Sequence, residues 1–171
     1  MRIVFIRHAT AEPRGDQSHG QRLTAKGTRQ AKVIAQAMGA MGLHPEKVMT
    51  SPLLHAAETA AIIAHELGAG QIEELPSLLP PGDERRLRQR IAELMDAEVD
   101  VAAMVGHSPA LEEMIADMIA DTRRVGLSLT RGGIALVELP VEDSPNGAVL
   151  HWMLDYEQVA AMAAQRQPAH K

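Results

Sequence analysis

Arg7 and His8 stand side by side where the opening apolar run of MRIVFIRHAT stops. His55 follows KVMTSP inside SPLLHAAETA, and His107 follows VAAMVG inside VGHSP. A guanidinium is permanently charged and grips two oxygens at once; an imidazole titrates near neutrality and offers either a lone pair or an N–H. His55 and His107 each adjoin a Ser-Pro pair (Ser51-Pro52 and Ser108-Pro109), a dipeptide suited to opening a helix. Helix N-termini carry unpaired N–H groups and partial positive charge. Converging cations and helix ends describe a site for a small tetrahedral anion, such as a phosphoryl group. The absence of cysteine excludes a thiolate nucleophile and a thiolate metal site. No histidine pair has a ligand spacing of the HExxH kind, so neither metal nor cofactor is expected.

Elements with a common edge must hold these residues. Ile3 to Ile6 reads as a buried strand, followed by the polar loop TAEPRGDQSHGQR. LTAKGTRQAKVIAQAMGAMG has a helical stripe through Ala31, Ile34, Ala35 and Met38, with Thr24 as N-cap and Gly42 at the end. KVMTS is a second strand. PLLHAAETAAIIAHELG is expected as a second helix with Ser51 capping, Pro52 at its first position and Gly68 closing it. QIEELPSLL supplies a short strand and loop, PPGD a turn, ERRLRQRIAELMDAE a charged helix, and VDVAAMVG a buried strand before the helix of SPALEEMIADMIA. GGIALVEL and AVLHWML are expected to pair as a hairpin across VEDSPNG. Strands alternating with helices predict an α/β fold, three-layered α/β/α around a largely parallel sheet, with ligands outside the carboxyl ends of the strands.

The bulk numbers bound the function. The 171 residues, 46% apolar and 23% charged, suit one domain over residues 1–160 with a polar flexible tail at 161–171. A formal net charge of −5 argues against a general nucleic-acid binder. No stretch approaches the ~20 apolar residues of a membrane span, and the opening run is too short for a signal peptide. Cytoplasmic location and a monomeric state are the expectations. Three aromatic residues argue against stacking platforms for bases or sugars, and the ten methionines read as core filling.

Four blocks in order, IRHATAE, RLTAKGTRQA, SPLLHAAETA and VGHSP, make the chain resemble the histidine phosphatase superfamily. Its length and compact layout are most similar to the SixA-type phosphohistidine phosphatases. The resemblance implies the phosphoglycerate mutase-like fold, with His8 as a nucleophile that is transiently phosphorylated and Arg7 and His107 holding the phosphoryl oxygens. It implies no metal and no cofactor. Its substrate would be the phosphohistidine of a signalling protein, such as a histidine-containing phosphotransfer domain. Two alternatives stay open: a phosphomonoesterase on small molecules or phosphoserine/threonine, and a catalytically impaired module that binds phosphate or phosphoproteins.

The second block departs from the family pattern Ser-Pro-x-x-Arg-Ala-x-Gln-Thr: His55 replaces the arginine and Glu58 the glutamine. Loss of one transition-state donor costs about 10²–10³ in rate. Three positions apart on a helix, Glu58 is expected to hold His55 cationic, making a pH-dependent phosphate clamp. Ala9 replaces a common glycine and keeps the turn small. Arg22 resembles a phosphate-binding arginine of the family, against a loop ion pair with Asp16; Arg14 is a weaker candidate. Glu12, Asp83 and Glu84 are the candidate general acids, the last two also readable as the cap of the next helix. A site without a dedicated acid suits P–N cleavage, because protonated phosphohistidine leaves as neutral imidazole. His19, His44, His65, His151 and His170 are assigned to loops or surfaces.

Overall fold

A computed structural model describes residues 1–13, 20–120, 125–140 and 147–164. Strand β1 (Arg2–Arg7) is followed by α1 (Ala25–Ala40), β2 (Lys47–Thr50), α2 (Leu54–Leu67) and β3 (Ile72–Glu74). A short 3₁₀ turn, Pro76–Leu78, leads to α3 (Glu84–Asp96), β4 (Val101–Gly106), α4 (Ala110–Ala120), β5 (Ile134–Glu138), β6 (Val149–Leu154) and α5 (Tyr156–Ala164). The strands form one sheet in the order β3-β2-β4-β1-β5-β6. The first four run parallel, while β5 is antiparallel to both β1 and β6.

Side-chain alternation along β1 and β4 divides the core into two layers, as the period of two requires. Ile3, Phe5, Ala102 and Met104 pack against Leu87, Ile91 and Leu94 of α3 and Leu111, Met114 and Ile115 of α4. Val4, Ile6, Ala103 and Val105 pack against Ile34 and Met38 of α1, Ala60 and Ile63 of α2, and Val159 and Ala163 of α5. The result is the α/β/α sandwich expected from the sequence. Met38, Met49, Met104, Met114 and Met118 are buried in it.

The caps explain the element limits. Thr24 accepts from the Gly27 N–H and starts α1, and Gly68, at φ 68°, closes α2. One boundary differs from expectation. α2 begins at Leu54, not Pro52, because Leu53 stays extended and the Ser51 hydroxyl accepts from the Leu53 N–H, 3.3 Å away. The hairpin of β5 and β6 forms, with a bulge between Leu136 and Val137; residues 141–146 of its loop lie outside the described residues. Helix α5 lies beyond the elements expected from the sequence and carries the fold past residue 160, burying Ala163. Asp155 and Gln158 cap it reciprocally: each side chain accepts from the other's backbone N–H. No helix among the described residues is long and apolar enough to cross a membrane.

Candidate active site

Sheet register brings the histidines together. Arg7, the last residue of β1, lies opposite Gly106, the last of β4. The His8 N–H donates to the Gly106 carbonyl at 3.0 Å, so His8 and His107 emerge side by side. Parallel pairing of β2 with β4 sets Thr50 against Val105, and the Ser51 N–H donates to the Val105 carbonyl. His55 then sits in the first turn of α2. Its ring centre is 4.2 Å from that of His8; His107 is 5.0 Å from His8 and 5.1 Å from His55.

Each ring is oriented by a protein oxygen. A carbonyl only accepts, so the contact of His8 Nδ1 with the Ala9 carbonyl (2.8 Å) places the hydrogen on Nδ1 and leaves Nε2 with its lone pair. The same reasoning applies to His55, whose Nδ1 meets the Gln21 carbonyl at 3.2 Å. His107 Nε2 lies 2.8 Å from the Ser51 hydroxyl. Burial, reinforced by the neighbouring imidazoles and the Arg7 guanidinium, pushes His8 down to about 3 and His107 to about 4. His8 is thus a neutral imidazole with an available ring nitrogen, the form a nucleophile needs.

Arg7 supplies permanent charge. Its Nη1 donates to the Leu129 carbonyl at 2.6 Å, while its buried Nε has no partner among the described residues. Burial lowers its pKa and Glu112 opposes that. Glu112, 7% exposed on α4, accepts from the Leu129 N–H (2.9 Å) and from the Ser108 hydroxyl, leaving Oε2 without a partner among the described residues. Leu129 is thereby held from one side by Glu112 and holds Arg7 from the other. Gly132, at φ 77°, donates to the Arg7 and His8 carbonyls, and this turn carries Arg131 close enough for its charge to act on both Arg7 and His55.

A model of the histidine phosphatase superfamily (branch 1) matches residues 3–79. An uncharacterized protein of Picosynechococcus sp. is 34% identical over 137 residues, 78% of this chain and 82% of its own length. The chain belongs to the histidine phosphatase superfamily. The fold of this chain is also that of the protein histidine phosphatase SixA solved with tungstate, at a TM-score of 0.79 and 23% identity, covering 91% of this chain and 97% of that one. The mitochondrial serine/threonine-protein phosphatase Pgam5 of Drosophila grimshawi is 37% identical over 65 residues, 38% of this chain and 22% of its own length.

The expected His55–Glu58 clamp is not what this chain contains. Glu58 accepts from Arg22 Nε at 3.0 Å and from the Leu23 N–H at 2.7 Å, tying the segment before α1 to α2. Burial outweighs its field at His55, whose pKa is lowered instead of raised. His55, 6% exposed, is a neutral ring. Arg22 is accordingly paired with Glu58 and its side chain is 72% exposed; Asp16, Arg14, His19 and His170 lie outside the described residues.

Asp83 caps α3 by accepting from the Arg86 N–H and pairs with the Arg86 side chain, and Glu84 stands in the first turn of that helix. Gly82, just before them, lies close to Ala110 at the start of α4. His44, His65 and His151 are exposed, the last paired with Glu138. Two residues escape motif reading, Glu112 and Arg131. Glu112 sits in an ordinary amphipathic helix, and only the glycine pair after Arg131 hints at a constrained turn.

Proposed function

We propose that this protein is a phosphatase that transfers a phosphoryl group to Nε2 of His8 and releases it to water, with protein phosphohistidine as substrate. The observation that carries the reading is the neutral His8, fixed through Nδ1 by the Ala9 carbonyl, beside His107 and the partly unpaired Arg7 guanidinium. The His8 lone pair forms a bond to phosphorus as the bond from phosphorus to the substrate nitrogen breaks. The departing imidazole keeps the electron pair and leaves neutral when its ring is protonated beforehand. Water then attacks the His8 phosphoramidate, giving inorganic phosphate and restoring the lone pair. Arg7 and His107 face the equatorial oxygens, and Arg131 adds a second permanent cation where His55 stands in place of arginine.

P–N cleavage is favoured because Asp83 already serves as a helix cap, and protonated phosphohistidine needs no added acid. The test compares a small phosphoramidate with p-nitrophenyl phosphate, for the wild type and His8→Ala. Turnover of the phosphoramidate alone, lost in His8→Ala, and acid-labile label on His8 are expected. Equal turnover of both substrates points to a phosphomonoesterase. Phosphate binding without turnover of either points to a binding module and overturns the enzymatic reading.

A further inference from the structure

His55 does more than remove a guanidinium: it completes a set of three imidazoles. One nitrogen from each of His8, His55 and His107 lies within 4.8 Å of the other two. The rings arrive from three separate elements, the ends of β1 and β4 and the first turn of α2, so no sequence spacing reveals them together. Three neutral nitrogen donors on a rigid frame match the protein ligand set of a tetrahedral zinc-type site, with a fourth position open. Metal–nitrogen bonds of about 2.0–2.1 Å put tetrahedral ligand nitrogens about 3.3–3.4 Å apart. The widest pair here would close by about 1.5 Å, within the reach of small χ adjustments.

The outer contacts suit the same purpose. Each ring has one nitrogen engaged by an oxygen, from the carbonyls of Ala9 and Gln21 and the hydroxyl of Ser51. Contacts of this kind orient metal-bound imidazoles and fix which nitrogen faces the ion. An arginine at position 55 would deny the site its third ligand and add a repelling charge. Arg7 and Arg131 still oppose a bare dication, so an anionic oxygen is required in the fourth position.

We propose that His8, His55 and His107 bind one divalent transition-metal ion of the zinc type, with an anion such as phosphate as the fourth ligand. The ion takes the His8 lone pair, so metal binding and attack on phosphorus exclude one another. Metal of this type is therefore an inhibitor built on the departure at position 55. Hard, oxygen-seeking cations such as Mg²⁺ gain nothing from an all-imidazole set.

The test titrates chelator-treated full-length protein with zinc chloride by calorimetry, with and without inorganic phosphate, and with cobalt chloride by visible absorption. The expected result is one ion per chain, tighter binding with phosphate present, the intense visible bands of tetrahedral cobalt, and no binding of magnesium chloride. Losing an outer contact weakens metal sites about 10–100-fold, and losing a ligand costs more. His55→Arg and His55→Asn should thus bind at least ~100-fold more weakly, with His151→Ala unchanged. Thermal unfolding of both position-55 variants confirms that they are folded. Absence of zinc binding, or binding that survives in both position-55 variants, overturns the proposal. The titration reads binding without turnover, so its outcome is independent of whether any phosphorylated substrate is cleaved.

Discussion

Replacing Glu112 by glutamine and by alanine separates geometry from charge in the support of Arg7. Its Oε1 accepts from the buried Leu129 N–H, and the Leu129 carbonyl accepts from Arg7 Nη1. In Glu112→Ala the Leu129 N–H loses its partner, at a cost of about 1–3 kcal/mol, and the missing side chain leaves a cavity that adds about 1 kcal/mol. At about 2–4 °C per kcal/mol for a chain of this size, the melting temperature falls by roughly 5–15 °C. Glu112→Gln keeps the acceptor for Leu129 and removes a carboxylate whose Oε2 has no partner among the described residues. Its stability should stay within about 1 kcal/mol of wild type. The two variants should also part in phosphate affinity, measured by calorimetry. Alanine lets Leu129 and Arg7 drift and weakens binding, whereas glutamine preserves the geometry, removes a negative charge near the anion, and binds phosphate as well as wild type or better. Equal losses of stability and affinity in both variants would refute the positional role of Glu112.

Gly27→Ala should be severely destabilising, because a Cβ there would lie 2.0 Å from the Thr10 carbonyl oxygen; a loss of at least ~2 kcal/mol in chemical denaturation, with reduced activity, is expected. His55→Arg should raise kcat/KM for a phosphoramidate by about 10²-fold if the guanidinium reaches the phosphoryl oxygens; an unchanged value would show that position 55 does not face them. Thermal stability of the metal-free protein should fall as pH drops from about 6.5 toward 4. The native pKa values of His8 and His107, about 3 and about 4, lie below the unfolded value, so the unfolded chain takes up protons first. Above that window both states are neutral and no slope arises from these groups. His107→Asn should flatten the slope, and an equally steep profile would contradict the assignment.

Local signals carried most of the fold. The strand-to-helix alternation, the Thr24 cap and the Gly68 stop each depend on a few neighbouring residues, and each is found as read. The meeting of Arg7, His8 and His107 follows from parallel strands sharing one edge. What stayed hidden depends on distant partners. Helical spacing sets Glu58 against His55, but Arg22 and the Leu23 N–H approach from across the chain and claim its carboxylate. The desolvation that keeps His55 neutral is likewise a property of the packed site and not of its helix. Helix α5 has a local signal, Asp155 and Gln158 at capping-box spacing, but the apolar strand immediately before it masks that signal in the sequence.

The position of β1 between β4 and β5 has a thermodynamic corollary. The strand bearing Arg7 and leading into His8 is bonded on both flanks and covered on both faces, so no edge of the sheet can peel away to release it alone. Amide protons of residues 3–6 should therefore exchange with solvent only through whole-molecule opening. Heat should abolish phosphate binding and melt the sheet in a single coincident event.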